Sequence, residues 1–358
     1  MEQKIKELIE KSKQVISDVA LENGAIVAAN TDKSYYPRTA SNYHFVWPRD
    51  AGYICVAAKE IGLKIQEPFF NWMQERPEDF KKEGLIYQNY STNGRTYWRQ
   101  FQPDQAGTIL WTIWEYYRDD PSEAMKYETL IRRLADGLCG DWKGSYFFHN
   151  TYDLWEEGIR KTSTKVENNH TYSLAACAKG LELADRMINN PKWVECADEM
   201  RKKIDEAYNK ENKYFFRNHG KLSDKNIDAS MIGLTWPFSV IDINDERMTN
   251  TIKQIEEKLT INGGGIQRFQ FDYYDGEGSA SEGAGAWPIL NFWISIYYSL
   301  KGNKEKAEHY FNWVVNNIDK YNGFIPEQIF ADSRIGVYPL AWSHAMFILA
   351  AKQLGKLN

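Results

Sequence analysis

The chain is 358 residues long, 43% hydrophobic and 26% charged, so it can bury a large core as one large domain or two ordinary ones. Its net charge of −5 and the lack of any long lysine or arginine run exclude the electrostatic footprint of a protein that binds nucleic acid or an anionic membrane. Cys55, Cys139, Cys177 and Cys196 are widely spaced without a CxxC pair, which leaves buried thiols rather than a zinc site or a dense disulfide framework.

Residues 4–20 predict a charged amphipathic helix and not a secretory leader, and no apolar run approaches the ~18 residues of a membrane span, so a cytoplasmic protein is expected. Residues 51–62 (AGYICVAAKEIG) are apolar nearly all round, which predicts a buried helix, and 65–77 carry a single apolar stripe, which predicts a helix with one wet face. The same two kinds alternate onwards. Buried helices are expected over 106–117, 171–184, 228–240, 287–300 and 340–351, and striped ones over 122–138, 193–208, 245–259 and 303–318, the last with an N-cap at Asn303. The strand-like runs at 145–148 and 213–216 are too short for a sheet domain. Six outer and six inner helices at a period near 60 residues can close into an all-α (α/α)6 barrel that uses residues 1–358 as one domain, although the period alone also fits an open solenoid.

Unusual residues gather just before the inner helices: NYHFVWPRD (42–50), YWRQFQPDQ (97–105), YDLWEE (152–157), IQRFQFDYYDG with GAGAW (266–287) and GFIPEQ (323–328). In a closed ring all inner helices start at one end, so these loops converge on one mouth, and the chain's aromatic content of 15% suits stacking against a hydroxyl-rich ligand. The cluster Asp153, Glu156 and Glu157 around Trp155 taken alone reads as a solvated acidic loop or a helix start. Arg49 and Asp50 taken alone read as an ion pair with Asp50 as N-cap, and Trp47, Trp98 and Trp287 as core. His44, His170 and His344 lack ligand spacing, so they read as structural or sugar-contacting and a metal site is not expected.

Together, in this order, the five segments resemble the glucoamylases, glycoside hydrolase family fifteen, across essentially the whole catalytic barrel. The resemblance implies that Tyr43, Trp47, Arg49 and Asp50 surround the terminal sugar and that Trp98 packs near the catalytic acid. It implies that Glu156 of DLWEE is the general acid beside Trp155 and a sugar-binding Glu157, that Arg268 and Trp287 meet the substrate, and that Glu327 of IPEQ is the general base. No cofactor is implied. The segment 275–285 is longer and richer in Gly, Ser and Glu than the family pattern.

An inverting glycosidase needs one protonated carboxyl and one ionised carboxylate about 6.5–9.5 Å apart. On the sequence, Asp153 and Glu157 are expected to repel a Glu156 anion and Trp155 to desolvate it, keeping Glu156 protonated while Glu327 activates water. The expected activity is exo-hydrolysis of α-glucans or maltooligosaccharides with release of β-glucose. The alternatives are action on trehalose or α-1,6 linkages, and a non-catalytic sugar-binding protein; phosphorolysis has no use for Glu327. Neither an N-terminal β-sandwich nor a starch-binding domain is expected, which favours short soluble oligosaccharides as partners. The sequence leaves monomer against homo-oligomer open.

Overall fold

The protein is described by a computed structural model covering residues 1–156, 167–221, 223–272 and 283–357. The outer helices are α1 (Glu2–Val19), α3 (Gln66–Glu75), α6 (Glu128–Asp141), α8 (Pro191–Glu206), α9 (Glu246–Leu259) and α11 (Lys304–Asn316), with a single turn, α4 (Phe80–Glu83), after α3. The inner helices are α2 (Pro48–Glu60), α5 (Pro103–Tyr117), α7 (Thr171–Ile188), α10 (Pro288–Leu300) and α12 (Ala341–Gln353). The fourth inner position differs from expectation: within 228–240 the chain makes a short 3-10 helix, Ala229–Leu234. Gly233 and Thr235 are poor helix formers, and Pro237 has no N–H and disfavours helical backbone at Trp236, so the apolar run cannot continue as an α-helix.

Each inner element packs on the next, α2 on α5, α5 on α7, α7 on the 3-10 turn, that turn on α10, α10 on α12, and α12 back on α2, so the ring is closed and the open solenoid is excluded. The tightest approach has a simple cause. A Cβ on Gly107 of α5 would stand 2.3 Å from the Ala176 carbonyl of α7, and one on Gly180 would stand 2.7 Å from the Gly107 Cα, so only hydrogen fits at either position. Strands occur as two-stranded pairs among the described residues, the longest being β1 (Tyr87–Tyr90) against β2 (Thr96–Phe101), antiparallel and irregular in register. The sequence pattern missed this hairpin. No helix among the described residues is long and apolar enough to cross a membrane.

Three inner helices start with proline at their first position: Pro48, Pro103 and Pro288. Proline there lacks an N–H the helix cannot use and forces the preceding residue into extended backbone. The residues so presented at the ring's mouth are Trp47, Gln102 and Trp287.

Candidate active site

Glu156 closes a turn that begins at Asp153. The Asp153 side chain accepts from the Trp155 amide at 3.1 Å, the Glu156 amide donates to the Asp153 carbonyl at 3.1 Å, and Glu156 itself takes a left-handed φ of +66°. A non-glycine residue held there carries local strain, which its surroundings must offset. They do so with donors. Glu156 Oε1 accepts from Trp47 Nε1 at 2.9 Å, Gln102 Nε2 at 3.2 Å and Arg49 Nη2 at 3.3 Å, while Oε2 accepts from Gln88 Nε2. The Glu156 side chain keeps 22% exposure toward the mouth. Burial pushes its carboxyl above the ordinary value, and Arg49, Gln102, Gln88 and Trp47 pull it back.

This corrects the sequence-based reason for a raised Glu156. Asp153 does not supply the repulsion, because it is buried and paired with Arg217 Nη2 at 2.7 Å. Trp155 is buried as expected, but its Nε1 donates to both oxygens of Asp228 at 3.1 Å, and Asp228 also meets Arg217 Nε at 3.1 Å. Asp153, Arg217 and Asp228 form one buried ionic cluster beneath the turn. Sequence reasoning missed Arg217 and Asp228, which lie far along the chain. Glu157 and most of the 275–285 insertion fall outside the described residues.

Glu327 stands on the loop before α12, buried, with both carboxylate oxygens 3.2 Å from the Tyr43 hydroxyl. Its amide donates to Val337 O at 2.8 Å. Two residues earlier, the Ile325 amide donates to His344 Nε2 at 3.0 Å, and His344 Nδ1 meets Ser12 Oγ at 2.8 Å, so this buried histidine holds the loop. Buried His170 likewise meets the Thr151 carbonyl and Asn218, which makes both histidines structural. Burial pushes Glu327 up to about 8, against the pull of Arg268 and the Tyr43 hydroxyl and with repulsion from Asp50 and Glu156. Asp50 rises to about 7 by burial, with Arg49 opposing and Glu156 adding. All three carboxyls are therefore raised and repel one another, where the sequence led us to expect a single raised group; they titrate as a set.

Arg49 is buried, 2.9 Å from Asp104 and 3.8 Å from Asp50, so its main partner is an aspartate 55 residues along the chain rather than its neighbour. Asp50 sits inside the first turn of α2 and Trp47 takes the N-cap position. Arg268 is 1% exposed, bidentate to Asp272 at 2.7 and 2.6 Å, with its guanidinium 4.7 Å from the Trp287 ring and 5.6 Å from the Trp155 ring. Trp287 and Trp155 meet edge to face at 5.8 Å. Trp98 is 45% exposed, 6.3 Å from Trp47, and so reaches Glu156 through that ring. Tyr43 packs 5.7 Å from Trp47 and joins the Glu156 and Glu327 sides. The arrangement puts two carboxyls on separate loops, joined through the Tyr43 and Trp47 side chains.

The profile of Glycosyl hydrolases family 15 matches residues 8–352. An uncharacterised glycosyl hydrolase of Methanocaldococcus jannaschii is 30% identical over 345 residues, covering 91% of this chain and 52% of the relative, so the chain spans about half the length of that protein. The isomaltose glucohydrolase of Kribbella flavida is 22% identical over 390 residues, covering 99% of this chain and 94% of the relative. The solved structure of a glycosidase variant superimposes with a TM-score of 0.83 at 20% identity, covering 100% of this chain and 98% of that one, a likeness of fold.

Proposed function

The chain belongs to glycosyl hydrolases family 15, and on that premise we propose that it is an exo-acting, inverting α-glucosidase that releases β-glucose from the non-reducing ends of α-glucans or maltooligosaccharides. The observation that carries this reading is the pair Glu156 and Glu327, on different loops at one mouth and linked through Trp47 and Tyr43. Glu156 is the general acid. Its Oε1 already accepts three donors, so the proton belongs on Oε2. Glu327 is the general base, oriented by the Tyr43 hydroxyl; because burial raises it to about 8, the reaction runs from the form of the coupled set in which Glu327 has given up its proton and Glu156 keeps one. As Glu156 passes its proton to the departing glycosidic oxygen, Glu327 takes one from a water that bonds to C1 from the opposite face; the old C–O bond breaks and the configuration inverts.

In the same reading Arg49 and Asp50 hold hydroxyls of the terminal glucose, which closes the pocket and limits release to single units. Trp47, Trp155 and Trp287 pack against the sugar, Arg268 faces Glu327 and favours its anion, Trp98 meets the departing sugar, and Glu157 contributes a sugar contact. A second reading, preference for an α-1,6 bond, is favoured by the match to the Kribbella isomaltose glucohydrolase over nearly its whole length.

Glu156→Gln and Glu327→Gln test the assignment. Each should fold and lose roughly 10²–10⁴-fold or more in kcat on maltooligosaccharides. An aryl α-glucoside with a good leaving group should restore the Glu156 variant and leave the Glu327 variant inactive. Near-normal turnover of either variant on the natural linkage overturns the roles.

A further inference from the structure

A cleft of about 1310 Å³ opens between α4, the β1–β2 hairpin, α6 and the chain at 149–152, and none of the site residues above lines it. It is ample for a small metabolite, whose sites run about 300–1,000 Å³. Its charge is unusual for this protein: the chain carries −5 overall, yet five lysines and arginines line the cleft against three carboxylates.

Those three carboxylates are engaged. Glu83 accepts from Tyr87 Oη and Arg99, Asp136 from Trp193 Nε1 at 2.8 Å, and Asp141 from His149. Lys81, Lys82 and Arg133 have no ion pair among the described residues. Arg133 goes further. Its guanidinium lies 5.5 Å from the Phe80 ring, and its Nη1 is buried without a hydrogen-bond partner among the described residues. A buried unpartnered donor on a fixed charge calls for an acceptor, and a planar guanidinium in one cleft with two ammonium groups suits a phosphate. Tyr152, Asn150 and Gln100 also line the cleft and offer a ring and amides to hydroxyls.

The cleft and the catalytic mouth share a wall. Neighbouring residues of the hairpin face the two sites: Tyr87 lines the cleft while Gln88 donates to Glu156, and Arg99 lines the cleft while Trp98 packs on Trp47. The Tyr152 amide, four residues before Glu156, is tied to Phe101 O at 2.9 Å. We propose that this cleft is a second ligand site, that it takes a phosphorylated sugar through Arg133, Lys81 and Lys82, and that occupancy alters turnover through the shared hairpin. The binding claim stands on the cleft alone; the effect on turnover rests on the hydrolytic reading above.

Isothermal titration with glucose 6-phosphate, inorganic phosphate and glucose, at ionic strength matched with chloride, tests binding. Saturable binding of glucose 6-phosphate is expected, tighter than that of phosphate. It should weaken at least 10-fold in Arg133→Gln and in the double variant Lys81→Gln/Lys82→Gln, whose exposed positions leave the core untouched. Basal kcat/KM in both variants should stay within twofold, while glucose 6-phosphate should change the parent's kcat/KM at least twofold and theirs not at all. No saturable binding, or equal affinity in parent and both variants, overturns the site. Phosphate binding as tightly as glucose 6-phosphate overturns the sugar component, and binding without a kinetic effect overturns the coupling.

Discussion

Replacing Trp47 by Phe removes one N–H while keeping a ring among Tyr43, Phe45 and Trp98, which lie 5.7, 6.3 and 6.3 Å away. The lost bond is the shortest of the three to Glu156 Oε1, 2.9 Å, against 3.2 Å from Gln102 and 3.3 Å from Arg49. It favours the anion, so its loss raises the Glu156 pKa. A hydrogen bond to a charged group is worth about 1.5–3 kcal/mol, and at about 1.36 kcal/mol per pKa unit that corresponds to about 1–2 units. The 22% exposure of Glu156 sets the expectation at the lower end. The limbs of a bell-shaped kcat/KM profile belong to the coupled carboxyls together, but the sum of their apparent pKa values rises by the full shift whichever limb moves. The optimum should therefore climb by half the shift, about 0.5 pH unit. The assay is kcat/KM on maltose or isomaltose from pH 4 to 9, with thermal melts showing that the variant is folded. An unchanged or lowered optimum in a folded variant refutes the claim that this donor sets the acidity of Glu156.

Arg217→Met should cost about 3–5 kcal/mol, because it leaves Asp153 and Asp228, 4% and 1% exposed, without their cation; a urea midpoint unchanged from the parent contradicts it. Glu327→Gln should change the pH dependence of stability. The folded pKa of Glu327 is raised to about 8 from 4.5, so its contribution is fully present below the unfolded value and is lost as pH rises through about 8. The variant's melting temperature relative to the parent should thus climb between pH 4.5 and 8.5, and a flat or falling difference refutes the raised pKa.

The ring was legible because burial on all sides leaves a mark in composition: 287–300 has no polar face, and α10 is buried along nearly its whole length. The first two inner helices were expected to start at 51 and 106, three residues late, although Trp-Pro and Gln-Pro mark their starts at Pro48 and Pro103 through local backbone chemistry. The fourth inner helix was misread, because an apolar run does not reveal that Pro237 and Gly233 prevent regular helix. The hairpin β1–β2 was missed because its register slips twice and most of the central β2 residues are exposed, so alternation is blurred. Within the site, ordered motifs marked Glu156, Glu327, Arg49 and Arg268, whereas Gln88, Arg217 and Asp228 act through contacts 64 to 73 residues apart in sequence that no local spacing encodes. Gln102 lay inside a quoted motif, and its place directly before Pro103 was the available signal.

The central claim is that Glu156 and Glu327 act from opposite faces of an α-glucoside. Proton NMR of the first glucose released from maltotriose and isomaltose, recorded before mutarotation, tests it most directly. The account predicts β-glucose as the initial product; α-glucose appearing first would contradict it.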